Sequence, residues 1–106
     1  MLHSVMFSPE ALEQLTQLYR YIAVEASPET AQHFTDGLVD YCESLSRFPL
    51  RGQCRKNIRP GLRTTNYKKR TIIAFTVTES LVSILGIYYG GQNFEDRLCR
   101  EGDMPD

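Results

Sequence analysis

The sequence predicts an α+β fold with the element order β-α-α-β-β-β, in which a helix hairpin packs against an antiparallel twisted sheet. Apolar residues recur at helical spacing before Pro49, and they alternate along the chain after Gly61. Between the two halves lies a segment rich in Arg and Lys. With 106 residues, 42% of them hydrophobic, the chain fits one domain with one modest core.

The first half begins with a predicted short strand over residues 2–7. Ser8-Pro9-Glu10 then predicts a helix start, because Ser is a favoured N-cap, Pro suits the first helical position and Glu suits the positive helix end. An apolar stripe follows at helical spacing to about Ala26. It consists of Leu12, Leu15, Leu18, Tyr19 and Ile22.

A second helix is predicted from Ser27-Pro28-Glu29, which repeats the same opening signal after a very short turn. Two helices joined so closely must lie antiparallel as a hairpin. Pro49 is expected to end the second helix. Its apolar stripe consists of Ala31, Phe34, Leu38, Tyr41, Leu45 and Phe48.

Three strands are predicted in the second half, over residues 62–67, 71–77 and 81–89. Short turns at 68–70 and 78–80 join them, so they form an antiparallel meander. Both faces of the last two strands are apolar, which indicates central strands. The helix hairpin covers one face, and the sequence leaves the cover of the other face open. The predicted core consists of Leu12, Leu15, Ile22, Phe34, Leu38, Ile73, Phe75, Val77, Ile84 and Ile87.

Charge is strongly segregated along the chain. Residues 1–46 sum to −6, residues 47–70 hold nine basic and no acidic residues, and residues 71–106 sum to −4, which together give the net −1. A block of one sign concentrates the electric field on one surface and favours an acidic partner. The alternative is a solvated basic loop.

Several other classes of protein are not indicated. The start of the chain has no secretory pattern, and Glu79 with Ser80 interrupts the apolar run 71–90, so we expect neither export nor a membrane span. Cys42, Cys54 and Cys99 form no metal-ligand spacing with the two histidines. We therefore expect a cytoplasmic protein with reduced thiols, no metal and no cofactor.

The chain resembles the RelE/ParE toxin superfamily of bacterial type II toxin–antitoxin systems over about residues 2–94. The resemblance rests on the order of short motifs rather than on any one of them. They are Ser8-Pro9-Glu10, Leu45-Ser46-Arg47-Phe48-Pro49, Pro60-Gly61-Leu62-Arg63, the strand from Thr71 to Val77, and Ile84-Leu85-Gly86-Ile87-Tyr88-Tyr89. We predict a single toxin domain over residues 1–94 and a polar tail over 95–106.

One branch of this superfamily consists of ribosome-dependent mRNA endonucleases. Such chemistry must activate a 2′-hydroxyl, stabilise a charged phosphorane and protonate a leaving oxygen. The resemblance implies basic residues on the last strands, but 71–78 has none, and Tyr88-Tyr89-Gly90-Gly91-Gln92 stands where His or Arg is expected. The candidates left for catalysis in this alternative are Arg63, Arg70 and Tyr89.

The other branch, the ParE-like toxins, resembles this chain better. The resemblance implies binding to DNA gyrase or a gyrase–DNA complex, without catalytic residues, and neutralisation by an acidic, partly disordered antitoxin. A third possibility is a non-toxic nucleic-acid- or protein-binding module, with Arg55–Arg63 holding phosphates. The residues predicted to bind target or antitoxin are Arg55, Lys56, Arg59, Arg63, Lys68, Lys69 and Arg70.

Overall fold

The structure is a computed structural model that describes residues 3–90. It contains β1 (Ser4–Phe7), α1 (Pro9–Glu25), α2 (Pro28–Ser44), β2 (Gln53–Cys54), β3 (Leu62–Tyr67), β4 (Thr71–Val77) and β5 (Leu81–Tyr89). The strands form one sheet in the order β1-β5-β4-β3-β2. The predicted α+β architecture of a helix pair and a sheet is confirmed.

Both helices begin where the sequence predicts. The hydroxyl oxygen of Ser8 accepts a hydrogen bond from the Ala11 N–H, and that of Ser27 accepts one from the Thr30 N–H, each at 3.1 Å. Proline follows each cap in the first helical turn. Each cap satisfies a backbone N–H that has no partner inside the helix.

The sheet is mixed rather than wholly antiparallel. β3, β4 and β5 form the predicted antiparallel meander, whereas β1 pairs with β5 in parallel. A tight turn imposes antiparallel pairing, but β1 reaches the sheet through the helix pair, which allows the parallel direction. The two-residue strand β2 pairs with β3 and is too short for the sequence to indicate.

A β-bulge in β5 changes which of its apolar residues face the helices. Ala74 pairs with Gly86 and Phe75 pairs with Ile84, so Leu85 is the extra residue. The bulge shifts the alternation by one, so that Ile84 and Ile87, three positions apart, both enter the core under the helices. The Ser8 hydroxyl donates a hydrogen bond to the Leu85 carbonyl at 3.2 Å, which ties the start of α1 to the bulge.

The core prediction is right for most residues and wrong for Leu12. The buried stripe of α1 follows Ala11, Leu18 and Ile22, with Leu15 partly buried against it. Leu12 lies about 100° around the helix from Ala11. Half of its surface is therefore exposed.

The prediction that Phe48 belongs to the apolar stripe of α2 is also wrong. The helix ends at Ser44, four residues before Phe48. A turn over residues 45–47 then changes the direction of the chain. Phe48 is no longer at a helical position, and 58% of its surface is exposed.

The second face of the sheet has a small apolar cluster of its own. Leu62, Ala74 and Tyr88 are buried there, and Ile58 from the loop between β2 and β3 packs against them. This loop therefore supplies part of the cover that the sequence left open. No helix within residues 3–90 is both long and apolar enough to cross a membrane.

Candidate functional site

The basic segment does not form one continuous face in the structure. It divides into three places: the loop after α2 with Arg51, which Arg63 of β3 contacts, the loop between β2 and β3, and the turn between β3 and β4. Each place uses its cations differently.

Arg63 lies on the helix side of the sheet, because its cross-strand partner Phe75 belongs to the core under the helices. Its Nη2 donates a hydrogen bond to the carbonyl of Leu50 at 2.5 Å and contacts that of Gly52 at 3.4 Å. Its Nε donates to the carbonyl of Arg51 at 3.3 Å. The guanidinium of Arg63 thus holds the backbone of the loop after α2.

Arg51 extends the same arrangement toward α2. Its Nη1 donates a hydrogen bond to the Ser44 hydroxyl at 3.3 Å. Its guanidinium lies 5.1 Å from the ring centre of Tyr41 and 5.2 Å from that of Phe48, within cation–π range. Arg51 therefore joins the exposed loop to the partly buried aromatic side chain of Tyr41.

The loop between β2 and β3 lies toward the other face of the sheet. The Nε of Arg55 donates a hydrogen bond at 2.9 Å to the hydroxyl of Thr64, whose cross-strand partner Ala74 is in the second apolar cluster. The carbonyl of Arg55 accepts hydrogen bonds from the N–H groups of Ile58 and Arg59, which folds the loop. Lys56 and Arg59 are exposed, as the alternative of a solvated basic loop predicts.

The turn between β3 and β4 presents three exposed cations, Lys68, Lys69 and Arg70. Lys68 and Lys69 have φ of 49° and 68°, in the left-handed region that non-glycine residues seldom adopt. The Nζ of Lys68 lies 5.6 Å from the ring centre of Tyr67. The turn holds these charges at the end of the sheet.

A cleft of about 370 Å³ opens beside this turn, between α1 and the end of β5. Its floor is partly set by Gln14, whose side-chain oxygen accepts a hydrogen bond from the N–H of Ile87 at 2.8 Å. The chain leaves the cleft at Gly90 toward residues 91–106, which lie outside the described residues. The cleft is lined by Gln14, Gln17, Leu18, Tyr21, Arg70, Ile87, Tyr89 and Gly90.

Of the three endonuclease candidates, the structure brings Arg70 and Tyr89 together in this cleft but not Arg63. Tyr88, the neighbouring phenol, is buried with 1% of its surface exposed. His3 is bonded to the Thr78 carbonyl beyond the end of β4, away from the cleft. Within residues 3–90, no group of three or more His, Cys, Asp or Glu residues is arranged to hold a metal ion.

Sequence reasoning missed the residues that α1 contributes to the cleft. Gln17 and Tyr21 line it, and the Tyr21 ring lies 5.9 Å from that of Tyr89. The one available signal was Gln14, a polar residue next to the apolar stripe of α1. Nothing in the sequence shows that its amide faces a strand.

Comparison with known proteins agrees with this architecture. The family model described as "ParE toxin of type II toxin-antitoxin system, parDE" matches residues 5–94. A solved structure of the chromosomal ParDE toxin–antitoxin system from P. aeruginosa is 24% identical, with a TM-score of 0.73 over 83% of this chain and 96% of that one. No match was found among curated proteins.

A second solved structure, the RelBE2 toxin–antitoxin complex from Mycobacterium tuberculosis, is 18% identical. Its TM-score is 0.63 over 85% of this chain and 100% of that one. At these identities the two structures show that the fold is shared. Since the family match covers most of the sequence, this chain belongs to the ParE toxin family of type II toxin–antitoxin systems.

Proposed function

We propose that this protein is a toxin that acts in the cytoplasm by binding DNA gyrase or a gyrase–DNA complex, and that an acidic antitoxin neutralises it. The family match supports the toxin role. The antitoxin partner is supported by the similar solved structures, which are described as toxin–antitoxin systems.

The observation that carries this proposal is the dispersal of the candidate catalytic residues. Cleavage of RNA needs an acid, a base and cations aimed at one phosphate. Arg63 instead holds the carbonyls of Leu50 and Arg51, whereas Arg70 and Tyr89 line a cleft elsewhere. A toxin that acts by binding needs no such constellation.

The distribution of charge is also consistent with docking on a protein–DNA assembly. The turn at residues 68–70 presents three exposed cations, whereas residues 1–46, which hold both helices, sum to −6. The turn therefore gives DNA or an acidic protein surface a local cluster of positive charge to bind. The acidic charge of the helix half disfavours binding through that part of the protein.

The ribosome-dependent endonuclease stays as the second candidate for a specific reason. Arg70 and Tyr89 share a cleft large enough for part of a nucleotide, with the Tyr21 ring beside Tyr89. In that case Arg70 would stabilise phosphate charge and Tyr89 would transfer a proton. This candidate ranks second because none of the described residues that line the cleft is a His, Asp or Glu that could act as a base.

The test is a supercoiling assay with purified gyrase and purified toxin, without antitoxin. We expect wild type to inhibit supercoiling or to trap cleaved DNA, and Tyr89→Phe to do so equally well. The double variant Lys68→Asn/Lys69→Asn should inhibit less, because it removes two charges while Asn still tolerates positive φ. Arg20→Glu, which changes the net charge equally on an exposed position of α1, is the matched control.

Expression in cells separates the two classes of toxin further. Gyrase poisoning predicts blocked replication, induction of the DNA-damage response and filamentous cells, with ribosome-bound mRNA intact. Codon-specific cleavage of mRNA on ribosomes, abolished by Tyr89→Phe or by Arg70→Gln, would replace this proposal with the endonuclease.

A further inference from the structure

We propose that the loop Phe48–Arg51 is a preformed docking surface for an acidic segment of the antitoxin. Large apolar side chains of that segment pack on Phe48 and Leu50. The inference deepens the proposed function, because it rests on the antitoxin partnership and not on the gyrase target. Neither Phe48 nor Leu50 was predicted to bind a partner. The surface is distinct from the cleft at Arg70.

The first observation is the exposure of two large apolar side chains on either side of Pro49. Phe48 and Leu50 expose 58% and 70% of their surfaces. The loop forms a shallow concave surface lined by Phe48, Pro49, Leu50 and Arg51. Adjacent exposed apolar side chains rimmed by polar groups are typical of a protein-binding site.

The second observation is that this loop is fixed from behind. Arg63 binds the backbone carbonyls of Leu50 and Arg51, and Arg51 binds the hydroxyl of Ser44. Gly52 closes the loop with φ of +82°, and a Cβ there would lie 2.1 Å from the carbonyl oxygen of Thr64. A loop that is already ordered loses little conformational entropy when a partner binds.

The third observation is the charge around the loop. Arg47 and Arg51 flank Phe48 and Leu50, and residues 47–70 contain no acidic residue. The guanidinium of Arg51 lies within cation–π range of the rings of Tyr41 and Phe48, which places its positive charge beside the apolar side chains of the loop. The surface therefore fits apolar anchors that alternate with Asp or Glu.

A protein segment suits this surface better than nucleic acid does. Phosphate backbones bind mainly to cations, whereas the exposed side chains of Phe48 and Leu50 offer apolar surface, which suits apolar side chains of a protein segment. An acidic chain that orders on binding gains apolar contact and charge neutralisation at once. The similar solved structures are toxin–antitoxin systems, which points to the antitoxin as the source of that chain.

The experiment measures, by titration calorimetry, the dissociation constant of this protein for the product of the adjacent reading frame, tested as its antitoxin. We expect Phe48→Ala/Leu50→Ala to weaken binding roughly 30-fold or more, because two anchors are lost. The matched control is Met6→Ala/Val24→Ala, which truncates two apolar side chains that are 61% and 82% exposed elsewhere. Circular dichroism checks that both variants stay folded.

The outcomes separate this inference from the proposed function. Equal binding of the antitoxin to wild type and to Phe48→Ala/Leu50→Ala overturns the docking surface and leaves the antitoxin partnership standing. If the antitoxin does not bind the wild type, the partnership itself fails. Gyrase inhibition without antitoxin is measured on the same variants. If the wild type does not inhibit gyrase, only the proposed gyrase target is overturned.

A photo-crosslinking residue in place of Leu50 identifies the occupant directly by mass spectrometry. A crosslink to an acidic segment of the antitoxin supports the inference. A crosslink only to DNA, to a second copy of the toxin or to residues 91–106 overturns it.

Discussion

The side-chain oxygen of Gln14 accepts a hydrogen bond from the backbone N–H of Ile87 at 2.8 Å, and this bond joins α1 to the end of β5. β1 pairs with β5 only as far as Ile84. Beyond that point no residue of β1 lies opposite β5, and the side-chain oxygen of Gln14 accepts the hydrogen bond of the Ile87 N–H in place of a strand carbonyl. One helix side chain thus completes the edge of the sheet beside the cleft.

We expect Gln14→Ala to lower the free energy of unfolding by about 1–2 kcal/mol, because the Ile87 N–H loses its partner. Gln17→Ala is the control, since Gln17 is exposed on the same helix and lines the same cleft. Urea unfolding followed by circular dichroism measures both. Equal midpoints for the two variants would show that water replaces Gln14 without cost.

Arg63 is expected to act through stability rather than through contact with a target. Arg63→Lys keeps the charge but loses the planar fork that reaches several carbonyls, so it should destabilise the fold by about 1–3 kcal/mol. Arg59→Lys, at an exposed position of the same segment, should change stability by less than about 0.5 kcal/mol. Thermal and urea unfolding provide the comparison. Unchanged stability of Arg63→Lys, together with weaker partner binding, would instead make Arg63 a contact residue.

Gly86 should not tolerate a side chain while Tyr88 is present. A Cβ at Gly86 would lie 2.5 Å from the Tyr88 hydroxyl oxygen, and Tyr88 is buried, so the ring has little room to move. Gly86→Ala should cost about 1–3 kcal/mol. In the background Tyr88→Leu the same change should cost clearly less, as a double-mutant cycle in urea would measure. Additive effects would place the strain in the backbone of β5 instead.

Cys42 should make stability depend on pH in alkaline solution. Burial, with a smaller effect of the Glu43 carboxylate, raises the pKa of the Cys42 thiol from 9.0 to about 12. Above pH 9 the unfolded chain releases this proton and the folded chain keeps it, so ionisation favours unfolding. The stabilisation is complete below pH 9 and is lost at up to about 1.4 kcal/mol per pH unit between pH 9 and 12.

The measurement for Cys42 is the difference in unfolding free energy between wild type and Cys42→Ala as the pH rises. That difference should shrink above pH 9, because Cys42→Ala removes the thiol whose pKa is raised by burial. Thiol labelling with peptide mapping should also modify Cys54 quickly and Cys42 only on unfolding. Rapid labelling of Cys42 in the folded protein would contradict its burial.

The predicted helix starts and the antiparallel meander are confirmed because their signals are local. Ser8 and Ser27 act within three residues of themselves, and the turns at 68–70 and 78–80 join neighbouring strands. Local hydrogen bonds and short connections leave few alternatives for the chain. The switch from helical to alternating apolar spacing then fixes the α+β class.

The candidate site was predictable only as a set of cations. The sequence identifies all nine basic residues between 47 and 70, but it does not show which of them share a surface. Strand alternation and the turn after α2 place Arg63 on the helix side and Arg55 on the other face. The tertiary structure therefore decides which charge is structural and which is available to a partner.

By itself the sequence determined the element types, the helix caps, the family and the segregation of charge. Only the tertiary structure decided the parallel position of β1, the bulge at Leu85, the cleft at Arg70 and the exposure of Phe48 and Leu50. The physical reason is the range of the interactions. Caps and turns act between near neighbours, whereas strand register, burial and the carbonyl contacts of Arg63 join residues far apart, and packing of the whole chain selects among them.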